Sequence, residues 1–540
     1  MQLITYLEQL SPSILKKIIE EHSLKLNIKK PNEIVNFLNG FLTDPGKLPN
    51  IYRQMTKIEK EVLNYFIMQL PNQIFPYRLL DKFSGTVSRD DFEYGITKLR
   101  RKGIIFALRK SWGELAFNIP DNLYLIWHRF FLIKVLNKLQ ETEEGQIEEK
   151  KESSALLEDE IFTLLSYTDI EKIPITQKGT IHRQHISKIS EELQISNDKL
   201  NYFPYKKRKD SFEYPDNVSF LLEIAYLLEL IDDLDFLRTT NKADLWHMMT
   251  PNTQRGYLEF VIRSLFKSTD IIIQHLFMLL FHLQKNRWYD LNDILFKLAK
   301  EFNRPVNDQF IERIQNEILT PLNEFGWVEL ALNKEKHLLF QWKDVEEQPL
   351  LQIYVQPNFE VLLSNNFPYN LRFKIEQFSK LVKKDQMIKY LITKESLYKG
   401  LKNGNTIEEI LDFLKKYSVI PVSENVEKTL IDWGKNYGKV SFLDVRIMKC
   451  KTETIAGEIK KHPVLKKWVI GEITPVHLII KRENFVNLFE TLSQLEYYPE
   501  KDIWFGENSE TNSGTTDDKF EVLRNSEHYI ENVFPVLTCR

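Results

Sequence analysis

Apolar residues recur three and four positions apart along most of this chain; elsewhere they alternate or gather into short runs. Ile14, Leu15, Ile18 and Ile19 share one face of a helix expected from Ser13 to His22. Ile34, Val35, Leu38 and Phe41 do the same from Pro31 to Leu42, where Pro31 suits the first turn after Lys29 and Lys30. With Leu24 to Ile28 extended between them, residues 1–50 form a helix–extended loop–helix. It is either a SAP-type DNA-binding element or a small helical cap packed on the next domain.

From Thr56 to Ile119 the pattern predicts three helices and a two-stranded wing. The first helix, Thr56 to Gln69, turns Ile58, Val62, Leu63 and Phe66 inward, and the second spans Tyr77 to Phe83. The third starts at Ser88, a fitting N-cap, buries Phe92, Ile96 and Leu99, and stops at Gly103. Ile104 to Leu108 and Glu114 to Phe117 make the hairpin around Lys110, Ser111, Trp112 and Gly113. Residues 51–140 are therefore expected to be a winged helix, and 141–158, rich in Glu and Lys, a solvated acidic linker.

Residues 159–348 hold a second winged-helix-like unit, with helices at Asp159 to Ser166 and Arg183 to Leu193, and a helical insert from Val218 to Lys300. A third wing is expected at Trp327 to Leu330 and His337 to Trp342. Residues 349–500 alternate strand and helix, with strands at 353–355, 390–393, 440–448 and 476–481. Helices are expected there at 369–378, 396–403, 407–416, 425–436, 454–461 and 483–496, with Trp433 and Tyr437 in the core. Residues 501–540 form a polar tail, partly disordered. The fold class is α+β multidomain: N-terminal helical and winged-helix units, then a compact α/β domain. No fixed sequence period of solenoid type is evident.

A chain of 540 residues has room for about three or four domains, since single cores rarely grow past roughly 250 residues. The formal charge of −3 supplies no global attraction to nucleic acid, so any DNA contact must come from local patches. A disulfide between the two cysteines, Cys450 and Cys539, is expected only in an oxidising compartment. The N-terminus lacks a signal-peptide pattern. The most apolar window, Ile271 to Leu283, is interrupted by Gln274, His275 and His282 and is too short to span a bilayer. The expected location is the cytoplasm, on the nucleoid if the protein binds DNA.

Enzyme chemistry finds little support. ATP hydrolysis by a helicase needs a Gly-rich phosphate loop ending in Lys and Ser or Thr, and no such motif occurs. Gln177-Lys178-Gly179-Thr180 has the wrong order, and Leu157-Glu158-Asp159-Glu160 sits at the linker edge as the start of a helix. His182 and His185 lack a third ligand in any recognised pattern, and no Gly-x-Ser-x-Gly elbow is present. The chain is expected to be non-catalytic, without metal, cofactor, small-molecule substrate or membrane partner. A nuclease assembled from scattered carboxylates stays open.

Three basic patches are candidates for DNA contact. On the third helix of the first unit, Tyr94, Thr97, Lys98 and Arg101 lie opposite the apolar face, with Arg100, Lys102, Arg109 and Lys110 at the helix end and wing. Asp90 and Asp91 make its first turn acidic, which suits the helix dipole, so this helix meets either DNA or a protein. The run Tyr202-Phe203-Pro204-Tyr205-Lys206-Lys207-Arg208-Lys209 interleaves rings and cations, as a single-strand platform would. Equally, it is a solvated loop with its rings packed beneath the domain. Lys178, Arg183 and Lys188 make a smaller third patch.

One ordered series of residues goes further. It begins with Ile353-Tyr354-Val355-Gln356-Pro357, continues with Leu391-Ile392-Thr393-Lys394-Glu395-Ser396-Leu397, and passes through Gly404 to the helix from Thr406 to Leu414. Ser418, Pro421, Asn425-Val426, Ile431-Asp432-Trp433 and Tyr437-Gly438-Lys439-Val440 complete it. Over residues 350–499 this resembles the helicase-associated domain at the N-terminus of the XPB helicase of transcription factor TFIIH and in stand-alone bacterial proteins. The segment Ile175-Thr176-Gln177-Lys178-Gly179-Thr180 followed by Arg183 also resembles those bacterial proteins. The resemblance implies an accessory partner of a separately encoded DNA helicase, acting on duplex or forked DNA. XPB joins this domain to its own motor, and this chain does not.

Overall fold

The computed structural model describes residues 2–499 except 25–29, 71–73, 83–86, 110–112, 143–146, 152–154, 172, 177, 206, 208–213, 234–235, 346–350, 385–386, 440–445 and 481–484. Four helices open the chain: α1 (Leu3–Glu8), α2 (Pro12–Glu21), α3 (Pro31–Leu42) and α4 (Leu48–Arg53). Their apolar faces join the core of the next segment, and polar contacts fix the join. The Leu3 amide donates to Asn122 Oδ1 at 2.8 Å, Asn118 donates to the Tyr6 hydroxyl at 3.2 Å, and His22 Nε2 donates to the Lys102 carbonyl at 2.8 Å.

One topology then occurs three times. In the first instance α5 (Lys57–Asn64) runs into a π-helical turn, Tyr65–Gln69, followed by β1 (Phe75–Pro76) and a 3-10 helix, Tyr77–Lys82. Next come α6 (Arg89–Arg101) and the hairpin β2 (Phe106–Arg109) and β3 (Leu115–Asn118), with sheet order β1-β3-β2. α7 (Asp121–Leu136) and β4 (Ile147–Lys151) lead to the second instance. That is α8 (Leu157–Glu171), β5 (Ile173–Pro174), α9 (Arg183–Glu192), α10 (Asn197–Leu200), α11 (Asp216–Leu227), β6 (Ile231–Asp232) and β7 (Phe236–Thr239), ordered β5-β7-β6.

After α12 (Asn241–Met248) and α13 (Pro251–Leu265), the third instance has α14 (Ile271–Leu280), β8 (Trp288–Asp290), α15 (Leu291–Glu301) and α16 (Asp308–Ile314). A π-helical turn continues α16 into α17 (Thr320–Glu324), and the hairpin is β9 (Val328–Asn333) with β10 (Leu338–Trp342). In all three the strand after the first helix pairs antiparallel with the second hairpin strand. β4 adds to the free side of β9, giving the order β4-β9-β10-β8. The stretch 141–158 is thus no simple linker: Ile147–Lys151 is an edge strand whose exposed Glu and Lys guard the sheet edge. Its end is not solvated either, because Leu157 and Glu158 are buried in α8.

The remainder is mixed α/β with small antiparallel sheets. β11 (Ile353–Val355), β12 (Glu360–Ser364), α18 (Tyr369–Phe378), β13 (Lys380–Lys384), β14 (Met387–Leu391), α19 (Lys394–Lys402) and α20 (Ile407–Tyr417) come first, with sheet order β11-β12-β14-β13. After them come α21 (Glu424–Asn436), β15 (Arg446–Lys449), α22 (Glu453–Lys461), β16 (Val469–Thr474), β17 (His477–Ile480) and α23 (Phe485–Gln494), with sheet order β15-β17-β16. Strands β12, β13 and β16 were not expected from the pattern. Tyr437, expected in the core with Trp433, is 42% exposed beyond the end of α21.

Two compact units emerge. Among the described residues one comprises 2–403 and 408–423, the other 404–407 and 424–499, so the division falls inside the stretch 349–500 expected as one domain. The first has an extensive core that includes Trp127, Phe162, Phe220, Phe277, Phe325 and Trp327, all fully buried. The second packs Cys450, Ala456, Ile459, Leu465, Leu478, Ile480, Leu488 and Leu492 between its sheet and helices. No described helix is long and apolar enough to cross a membrane.

Candidate nucleic-acid interface

α6 is held rigidly at three points. Ser88 caps it by accepting from the Asp91 amide at 3.1 Å. At mid-helix Gly95 presses on α5, and a Cβ there would lie 2.6 Å from Val62 Cγ2. At the C-terminal end the Lys102 ammonium is buried 3.3 Å from Glu59 and 3.6 Å from Glu21. Lys102, expected at the edge of the basic patch, is therefore a structural cation with two carboxylates of its own.

The opposite face of α6 stands in solvent. Tyr94 is 52% exposed, with Lys98 Nζ 5.7 Å from the centre of its ring. Thr97 and Arg101 are exposed on the same side, Arg100 lies over the Phe117 ring at 5.9 Å, and Arg109 is exposed at the end of β2. Lys110 lies outside the described residues. Charge is divided along the helix. Asp90 is exposed at the start, Asp91 accepts from the Ser88 hydroxyl, and Glu93 accepts from the Tyr77 hydroxyl at 3.1 Å. Lys98, Arg100 and Arg101 occupy the last turn.

The equivalent helices of the other two instances are placed differently. α11 is buried without a break from Asn217 to Ala225. In the third, Ile314, Ile318, Leu319 and Leu322 are buried, and Arg313 on the outer side is paired with Glu317 at 2.6 Å. Of the three, α6 is the one that offers a basic-ended, solvent-facing surface.

The other two patches fare unequally. The Thr176 amide donates to the Thr180 carbonyl at 2.8 Å and the Gly179 amide to the Thr176 carbonyl at 2.9 Å, closing a tight turn with Gly179 at φ +75°. That turn carries Lys178 into solvent near the exposed start of α9, where Arg183 and Lys188 are also exposed. Gln177 lies outside the described residues. His185 hydrogen-bonds the Tyr167 hydroxyl at 3.0 Å, and no described cluster of His, Cys, Asp and Glu could hold a metal.

The ring-and-cation run does not form a stacking platform over its described residues. Phe203 is buried among the rings of Phe220, Phe266, Phe277 and Phe325. Burial pushes the Tyr205 hydroxyl pKa up, and Lys207 pairs with Asp216 beside the Tyr205 ring. Only Tyr202 of the described aromatics in the run is exposed. Lys206, Arg208 and Lys209 lie outside the described residues.

Two buried polar assemblies have no counterpart in the sequence pattern. In the first, the acidic start of α8 meets cations from distant elements. Glu158 pairs with Arg255 at 2.5 Å and Asp159 with Arg372 at 3.0 Å. Glu160 accepts from the Gln194 and Ile195 amides at 2.8 and 3.2 Å, while burial pushes its carboxyl pKa up. Arg372, 4.3 Å from the Phe162 ring, also donates to the Tyr390 hydroxyl at 2.8 Å, and Glu376 accepts from both Tyr390 and Ser166. Nearby, Lys384 Nζ donates to Thr163 Oγ1 at 2.6 Å. In the second assembly, His128 lies 3.0 Å from ring nitrogens of both His275 and His282, and His275 Nε2 lies 3.0 Å from the Met68 carbonyl.

Against this geometry, residues 353–474 match the family model described as a helicase conserved C-terminal domain. The chain carries a helicase C-terminal-like segment. It covers less than a quarter of the chain. No curated protein matches the chain. The helicase C-terminal-like segment contributes β11 to α20 of the first unit, and α21, β15, α22 and β16 beyond the division.

Proposed function

We propose that this protein is a non-catalytic DNA-binding accessory of a separately encoded, XPB-like DNA helicase in repair or duplex remodelling. The three helix–strand–helix–helix–hairpin assemblies are winged-helix units, and the first holds duplex or forked DNA through Lys98, Arg101, Arg109 and Lys110. The XPB-like domain docks or regulates the motor. The helicase C-terminal-like segment at residues 353–474 supports work beside a helicase. The observation that carries the reading is the contrast between α6, with its basic-ended outer face free, and α11, which is spent on internal packing.

Fluorescence anisotropy with labelled duplex, forked and single-stranded DNA across a salt series tests it. Log K should fall by about 0.9 per log unit of salt for each phosphate contact. Combining Lys98→Ala, Arg101→Ala and Arg109→Ala should flatten that slope by about 2.7. Absence of binding to every DNA at low salt would remove direct contact. The acidic first turn of α6 favours a second reading, a winged-helix transcription regulator or protein-docking scaffold. A regulator would protect one preferred duplex sequence, and a pure scaffold would bind none.

A further inference from the structure

On the reading that α6 meets DNA, we infer that it meets the boundary between paired and unpaired strands. The Tyr94 ring stacks on the first unpaired base, and Lys98, Arg101 and Arg109 hold phosphates of the adjoining duplex.

The division of charge comes first. A helix lying full length in a major groove brings its N-terminal residues to the bases and its first turn near phosphates. Here that end carries exposed Asp90, with Asp91 and Glu93 close behind, against a single cation, Arg89, which interacts with the Tyr77 hydroxyl, so its balance is acidic. Phosphates are repelled there and attracted by Lys98, Arg100 and Arg101 in the last turn, with Arg109 exposed on β2. The duplex therefore extends from mid-helix past the C-terminal end, and one end of it must lie near the middle of α6.

The side chain at that midpoint is an aromatic ring, half exposed, on a helix pinned by Gly95 directly behind it. Lys98 over the Tyr94 ring places a cation where a backbone phosphate adjoins a stacked base. Tyr94 and Arg101 are about 10 Å apart along the helix axis, or about three steps of a duplex strand. An unpaired base has both faces free to stack and a paired interior base has neither, so the ring discriminates by strand state and not by sequence.

The experiment uses the full chain and three labelled DNAs: a blunt duplex, a fork with two unpaired arms, and a single strand. In the fork, 2-aminopurine stands at the first unpaired position. The wild type should prefer fork to duplex and quench the 2-aminopurine. Tyr94→Ala should lower fork affinity by about tenfold, to the duplex level, with duplex affinity held within about twofold and quenching lost. Tyr94→Phe should retain both preference and quenching, which separates stacking from a structural role of the hydroxyl. Equal wild-type affinity for fork and duplex overturns the inference, as does a Tyr94→Ala protein, folded by circular dichroism, that keeps the fork preference. Failure to bind any of the three DNAs is a different result and overturns the function proposed above.

Discussion

The Met68 carbonyl can only accept a hydrogen bond, and that fixes the state of three imidazoles. His275 must donate through Nε2, leaving its Nδ1 to accept from His128 Nε2, whose own Nδ1 accepts from His282 Nε2. All three rings are then neutral with the proton on Nε2. Burial lowers each pKa, to about 4 for His275 and His282 and well below the ordinary value for His128. Between about pH 4 and 6.5 the unfolded chain binds protons that the folded chain refuses, so stability is full above that window and falls as pH drops through it. For the fully buried His275 alone, the loss between pH 7.5 and pH 5 is on the order of 2 kcal/mol. Urea unfolding at both pH values should show it. His275→Gln, which can donate and accept at the same place, should shrink the difference; an unchanged pH dependence would refute the assignment. None of this was legible in the sequence, where His128 and His275 stand far apart and His275 and His282 register only as polar interruptions of an apolar window. Tyr94, Lys98 and Arg101 were legible, because helical periodicity gives the outer face once the inner one is known. Lys102 was not, since its partners Glu21 and Glu59 come from other helices.

Between elements, α8 and α18 are joined by charge as well as by apolar packing. Arg372 is fully buried, and attraction from its tyrosine and carboxylate neighbours raises its pKa despite desolvation, so it stays a cation. Arg372→Met should leave Asp159 and Glu376 short of their counter-charge in the interior, at a cost of about 3–5 kcal/mol. Chemical denaturation should register that loss, and adding Asp159→Asn should recover part of it. Strictly additive losses in the double variant would mean the pair is not coupled. Helices α18, α20 and α22 agree with their apolar periodicity to within a residue or so. Strands suffered more. β4, Ile147-Glu148-Glu149-Lys150-Lys151, and β13, Lys380-Leu381-Val382-Lys383-Lys384, are half or more charged, and a partner strand makes each of them a strand in the absence of an apolar pattern. The same blindness to partners made Phe203 look like a stacking ring, although it belongs to the core.

At the scale of the whole molecule, recurrence of one topology was only partly visible, because hairpins such as β6–β7 are too short for their residues to signal them. The two compact units differ greatly in how much they bury. Among the described residues the second has only a small core, centred on Cys450, Ala456, Leu465 and Leu478, so it should open first. Hydrogen exchange followed by mass spectrometry should find amides of β15, β17 and α22 exchanging well before those of α8, α11 and α14; simultaneous exchange would show a single cooperative body. The helicase C-terminal-like segment crosses the division between these units. Cut out at residues 353 and 474, it would take Arg372 from Asp159 and Glu376 from Ser166, and would separate β16 from β17, its partner strand among the described residues. The part of this chain that can be recognised is therefore not a part that can be transplanted: kinship and self-sufficiency are drawn along different lines.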